Sequence, residues 1–306
     1  MRHLILVLLI AGYTALAKGD LSQLECSKIS QFSGMADNAL SLPTDVAIDP
    51  QGHIYIVDSG NHRILVYKAD GEYLFAIGSE GQGKGELSYP VGIATTNDGR
   101  VLVADRGNKR VLQFSSSGQF IKTLLDNTGE SDYVPVDVAV DSSNQKIYVT
   151  VSSPLHQIFV LDNDGKILSK WGAPGSSVGE FRFPATIAVS EDDEIYIVDV
   201  LNTRVQVFSK TGEFLVTVGS WGVTQGQLFR PKGVALTARK QILVSDSYLG
   251  VVQVYNDDTR FKGVLSSGGK VAKFITPVGM AVDNQNRIFI AEEMANRVTV
   301  CQLADK

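Results

Sequence analysis

Residues 184–208 read PATIAVSEDDEIYIVDVLNTRVQVF, and the fold is decided by how often the chain repeats that phrase. A proline opens a Pro-x-x-Ile-Ala segment, a polar turn follows, residues 195–199 form a β-branched and aromatic run, and a short loop leads into residues 205–208. Pro43, Pro90, Pro135, Pro184, Pro231 and Pro277 each open such a segment, at spacings of 47, 45, 49, 47 and 46 residues. A weaker fourth run ends in glycine, as in residues 73–78 and 214–219. Four short strands in about 45 residues mark a propeller blade, whose sheet buries its faces only by stacking on its neighbours. Six copies predict an all-β, six-bladed β-propeller.

Outside the repeats the same pattern continues. The turns Asp70-Gly71, Asp164-Gly165 and Thr211-Gly212 suit hairpin connections, where glycine tolerates positive φ. No stretch sustains a 3.6-residue period, so helices are expected to be nearly absent. The sixth copy stops after its third strand, at residues 298–302, while residues 28–34 near the N-terminus match the missing fourth. The N-terminal strand is therefore expected to close the last blade, which removes two exposed edges. Cys26 and Cys301, the two cysteines of the chain, fall on these segments. A disulfide across the seam suits an exported protein. Two free thiols are the alternative, since simple hairpin register leaves the pair a few residues out of line.

A chain of 306 residues with 44% hydrophobic and 20% charged content is neither disordered, collagenous nor a polytopic membrane protein. Arg2 and His3 precede the apolar run 4–10, and Ala15-Leu16-Ala17 offers the small residues a signal peptidase accepts. Residues 1–17 are expected to be a signal peptide and residues 18–306 one exported domain, periplasmic or extracellular, without a stable membrane span and monomeric. The net charge of −5 and the scattered Lys and Arg oppose nucleic-acid binding.

Asp58-Ser-Gly-Asn61-His62-Arg63 and Asp105-Arg-Gly-Asn108-Lys-Arg110, each followed by an aliphatic strand, resemble the NHL repeat, and the resemblance covers nearly all of the expected mature chain. It implies the six-bladed propeller. It also implies a choice of roles, because NHL-like propellers serve as protein scaffolds, RNA-binding modules or, in peptide-amidating lyases, metalloenzymes. The Asp/Asn/Arg set recurs at Asp199, Asn202 and Arg204, where the carboxylate can cap amides or meet the guanidinium, so it reads as scaffold.

Departures from the pattern point to a unique site. Blade three has Pro154-Leu155-His156 between Val151 and Gln157, blade five has Tyr248-Leu249-Gly250, and blade six has Glu292 in the Asp slot. The blade connections on the same face add Tyr89, Arg182, Phe183, Trp221, Phe229 and Arg230. Aromatic and Arg side chains favour binding hot spots, so Trp221, Tyr248, Leu249, Arg230, Arg182, Pro154, Leu155 and His156 are the candidate contacts for a protein, peptide or glycan. Tyr89, Phe183 and Phe229 can alternatively wedge between blades. Two residues after each opening proline the chain carries Asp45, Gly92, Asp137, Thr186, Gly233 and Gly279, so Asp45 and Asp137 are expected in the channel, where they could hold Ca²⁺ as in related lactonases. Supporting Glu and Asn ligands are missing from the corresponding slots. No other cofactor is expected, and few histidines are available for a lyase zinc site: His53, His62 and His156. The expected function is a non-catalytic exported scaffold; the alternative is a metal-dependent hydrolase or lyase with a channel-mouth site.

Overall fold

The computed structural model describes residues 24–35, 38–127 and 133–303; the expected signal peptide lies outside them. The chain forms a closed six-bladed β-propeller. Blade 1 runs outward from the axis as Pro43–Ile48, Ile54–Asp58, Arg63–Tyr67 and Tyr73–Ile77, each strand antiparallel to the next. The innermost strands of the following blades are Pro90–Thr95, Pro135–Val140, Pro184–Val189, Pro231–Leu236 and Pro277–Val282. Second strands such as Ile54–Asp58 and Ile195–Asp199 are buried at every residue. That explains their unbroken apolar runs: both faces are covered by neighbouring blades. The core lies in these seams, as where Tyr55, Val57 and Val66 of blade 1 meet Ile93, Val103 and Leu112 of blade 2. Helical structure among the described residues is limited to single 3₁₀ turns at Ser59–Asn61, Val200–Asn202 and Glu293–Ala295.

The N-terminal strand closes the last blade. Leu24–Phe32 runs antiparallel to Arg297–Leu303, with Phe32 opposite Val298 and Ile29 opposite Cys301. An irregularity between Cys26 and Lys28 shifts the register, and Cys26, opposite Leu303, is disulfide-bonded to Cys301 with Cα atoms 5.2 Å apart. Leu24 and Glu25 also lie parallel to Leu265 and Ser266 of blade 5, where the Glu25 carboxylate accepts hydrogen bonds from Ser266 Oγ and the Gly268 amide. One strand thus ties blade 6 to its third strand and to the preceding blade.

A second set of ties recurs round the ring. In five blades a fully buried carboxylate at the end of the second strand accepts the backbone amide two residues before that blade's opening proline. Asp58 takes the amide of Ser41, Asp105 that of Ser88, Asp199 that of Arg182 and Asp246 that of Phe229, all at 2.7 Å; Glu292 takes that of Ile275 at 2.5 Å. Where Asn and Arg follow, the second carboxylate oxygen accepts from both, as Asp105 does from Asn108 Nδ2 and Arg110 Nε at 2.8 Å. The amides capped therefore belong to the incoming connection. In blade 5, which lacks the Arg, Asp246 additionally caps Tyr248 and Leu249 of its own loop.

Removing one partner of such a buried pair leaves the other charge uncompensated. Asp105→Ala is expected to lower the urea-unfolding free energy by about 3 kcal/mol or more, whereas Asp98→Ala, at an exposed turn, is expected to stay within about 0.5 kcal/mol of wild type. Equal effects of the two substitutions would remove the distinction.

Candidate functional site

The loops between second and third strands and the connections between blades share one face, held together by the carboxylate bonds. The first loop residue borders the channel mouth in blades 2 and 6, as Arg106 and Glu293, and the next residue of each loop is turned to solvent where it is large. In that second position blades 1 and 2 have Gly60 and Gly107, where an added Cβ would lie 2.4 Å from Ser41 Oγ or the Ser88 carbonyl oxygen. Blades 4, 5 and 6 have Leu201, Tyr248 and Met294 instead, with Leu201 58% and Met294 65% exposed. The neighbouring connections add Val178, Ile275 and Trp221, the last 70% exposed.

The candidate contacts divide on this face. Trp221, Tyr248, Arg230, Arg182 and Pro154 are exposed, and Phe229 stacks on Tyr248 with ring centroids 4.3 Å apart. Trp221, Phe229, Arg230 and Tyr248 all belong to blade 5 or the connection entering it. Leu249 and Leu155 instead pack against core clusters, and the His156 imidazole is engaged inward, its Nδ1 accepting the Phe183 amide at 3.1 Å. His62 does the same for the Tyr89 amide at 2.8 Å, and Asn296 Oδ1 for that of Leu42 at 2.9 Å. These side chains staple one blade to the next, across seams 1–2, 3–4 and 6–1. Tyr89 and Phe183 border the channel mouth, at positive φ of 49° and 66°.

Asp45 and Asp137 lie within the bore, below the mouth. Each carboxyl bridges backbone amides of its own blade and the next: Asp45 accepts Val46 and Ile93 at 2.9 and 3.1 Å, Asp137 accepts Val138 and Ile187 at 2.8 and 2.9 Å. Glycine faces each of them on the other side. A Cβ on Gly279 would sit 2.1 Å from Asp45 Oδ1, and one on Gly92 2.3 Å from Asp137 Oδ1. The two carboxyls share the bore, and each influences the ionisation of the other. Burial pushes Asp45 up to about 7; burial and the charge of Asp45 hold Asp137 well above the usual carboxylate range. With both oxygens of each group accepting amides, the pair leaves few lone pairs for a Ca²⁺ ion that takes six to eight oxygen ligands. Among the described residues no cluster of three or more His, Cys, Asp or Glu side chains gathers as a metal site.

Asp45, Asp137 and Thr186 border two cavities. The lower, of about 200 Å³, is lined by the aliphatic remainder of the inner strands. The upper, of about 130 Å³, opens at the mouth between Tyr89 and Phe183 and is bordered by Lys232, Arg106 and Glu293. The sequence reading missed these last three. Their signal was present: the slot after the opening proline holds Thr44, Val91, Val136, Ala185 and Val278 in the other blades against Lys232, and the first loop position holds Ser59, Ser152, Val200 and Ser247 against Arg106 and Glu293.

The closed ring and the recurring Asp/Asn/Arg loops define an NHL-repeat β-propeller. A family model described as a 6-bladed beta-propeller matches residues 45–137 and 128–220, and the chain belongs to that family. Among curated proteins, Protein brain tumor of Drosophila melanogaster is 30% identical over 165 residues, 53% of this chain and 15% of that protein. The E3 ubiquitin-protein ligase NHLRC1 of Homo sapiens is 24% identical over 135 residues, 44% of this chain and 32% of the ligase. The matches thus span less than a third of either relative. A gluconolactonase from Xanthomonas campestris superposes with a TM-score of 0.68 at 15% identity, over 95% of this chain and 93% of that one. Virginiamycin B lyase from Staphylococcus aureus does so with a TM-score of 0.65 at 13% identity, over 90% and 99%. At these identities the two structures speak to fold alone. Among the described residues no helix is long and apolar enough to cross a membrane.

The channel pair has a consequence for pH. The folded chain keeps a proton on Asp45 up to about 7 and holds Asp137 well above the usual carboxylate range, while the unfolded chain releases both protons near the ordinary carboxylate value. The Asp45 contribution to stability is therefore complete below that ordinary value and is lost progressively as pH rises from there to about 7. Burial moves His156 downward, so it works in the opposite direction below its ordinary value, and the comparison with a variant lacking the Asp45 carboxyl separates the two. The stability advantage of wild type over Asp45→Asn is expected to shrink between about pH 5 and pH 7 by on the order of 1 kcal/mol per pH unit. A difference that stays constant in thermal melts across that window would contradict the raised protonation of Asp45.

Proposed function

We propose that this protein is a non-catalytic exported scaffold that binds a protein or peptide partner through the mouth-side face of blades 4 to 6. The observation that carries the reading is the contrast between glycine in blades 1 and 2 and exposed Leu201, Tyr248 and Met294 at the same loop position in blades 4 to 6. Trp221 and the Phe229–Tyr248 stack add aromatic anchors on the same face, which also carries exposed Arg182 and Arg230. Exposed apolar and aromatic side chains interspersed with arginine are the composition from which interface hot spots are built. It favours a polypeptide over a glycan, whose hydroxyl-rich surface would leave Leu201, Met294 and Ile275 without apolar contact. Export is supported by the leader-like residues 2–17 and by the Cys26–Cys301 bridge, which suits an oxidising compartment.

The test is affinity capture from the native extracellular or periplasmic fraction, followed by titration of each captured partner. Trp221→Ala, Tyr248→Ala and Arg230→Ala are each expected to weaken binding by about tenfold or more, about 1.4 kcal/mol, with melting temperatures near wild type. Wild-type affinity in all three would displace the site from this face. Intact-mass analysis of the exported product is expected to give an N-terminus at Lys18; a full-length chain retained in the cytosol would overturn the export assignment.

A further inference from the structure

We infer that the vestibule at the channel mouth, a cavity separate from the apolar rim of blades 4 to 6, is a binding pocket for a monovalent carboxylate held by Lys232 and Arg106.

The argument begins with an unbalanced charge. Lys232 is partly buried on the inner strand of blade 5, and among the described residues its ammonium has neither a hydrogen bond nor an ion pair. Arg106, from the first loop of blade 2, borders the same cavity, and its guanidinium contact there is the Phe183 ring, 5.9 Å to the centroid. Two cations converging in one partly desolvated space repel each other and lose water. Burial, and then the neighbouring arginines, hold Lys232 below the usual lysine range, while Glu293 alone works in the opposite direction. A scaffold gains nothing from this arrangement, since Val, Ala or Thr occupies the lysine's slot in the other five blades. An anion entering from the mouth would supply the missing partner for both groups.

The surroundings select the anion. Glu293 on the rim adds negative potential that disfavours a dianion such as phosphate, whereas a single carboxylate can meet the guanidinium in bidentate fashion and the ammonium from above. The flat walls of Tyr89 and Phe183 suit an apolar or planar group behind that carboxylate, and about 130 Å³ accommodates a group of side-chain size. Thr44 and Thr186 offer hydroxyls at the same level. The carboxylate can belong to a free small acid or to the C-terminus of a polypeptide; the recognising chemistry is shared.

NMR titration of the whole protein separates these sources. Sodium propionate is one probe; a short N-acetylated dipeptide with a free C-terminal carboxylate, the same dipeptide amidated, and inorganic phosphate are the others. Saturable shifts of the Tyr89, Arg106 and Phe183 signals are expected for the two carboxylates, with a Kd on the order of 1 mM or tighter, and none for the amide. Dipeptide binding at least about tenfold tighter than propionate assigns the pocket to a polypeptide C-terminus, and equal binding assigns it to small acids. Lys232→Met and Arg106→Gln are each expected to weaken the carboxylates about tenfold or more with unchanged melting temperature. The two substitutions sit away from the rim, so the rim contacts of the proposed partner surface fail or hold independently. Absence of saturable shifts, equal binding of the amide, tighter binding of inorganic phosphate, or wild-type affinity in both variants would each overturn the inference.

Discussion

The structure depends on burying a carboxylate without leaving it unsatisfied. Asp58, Asp105, Asp199, Asp246 and Glu292 are fully enclosed where second strands end, and each takes the amide of the chain arriving from the preceding blade. A buried carboxylate is costly alone and strongly bound when its oxygens are filled. The bond therefore fixes where each blade begins relative to the one before. The histidine and asparagine staples at His62, His156 and Asn296, and the inner-strand carboxyls of Asp45 and Asp137, repeat the same solution nearer the axis.

Fixing the connections in this way separates scaffold from display. Because backbone amides, and not side chains, carry the ties, the residues supplying those amides are free to vary: they are Ser41, Ser88, Arg182, Phe229 and Ile275 round the ring. The same holds one loop position further on, where glycine gives way to Leu201, Tyr248 and Met294. Variation then accumulates on a rigid face, as expected of a recognition surface built on loops. The mouth follows a parallel logic, with Lys232, Arg106 and Glu293 standing where the other blades carry small or uncharged residues.

Much of the architecture was legible in the sequence, because the period of the proline segments, the unbroken apolar second strands and the orphan strand at residues 28–34 all report backbone-level facts. The Asp/Asn/Arg loop was legible as scaffold, but its partner was not, since the capped amide lies 17 residues earlier and carries no side-chain signature. The exposed candidates Trp221, Tyr248 and Arg230 emerged as departures from the repeat. Leu155, Leu249 and His156 looked similar in sequence and turned inward, because a loop's residue types do not show which side chain meets the core. Register alone left Cys26 and Cys301 apart, and the irregularity after Cys26 accounts for their meeting. Lys232 and Arg106 carry no motif of their own: the lysine stands one residue before the inner-strand aspartate slot, and the arginine lies inside a loop that otherwise matches the repeat.

Site-resolved amide hydrogen exchange on the free protein tests the carboxylate ring most directly. The amides of Ser41, Ser88, Arg182, Phe229 and Ile275 lie in surface connections, two of them on residues with exposed side chains. They are expected to exchange as slowly as second-strand amides, opening only with the whole fold, while the loop amides beside them exchange quickly. If all five exchanged at the rate of their loop neighbours, the buried carboxylates would not be holding the blades in register.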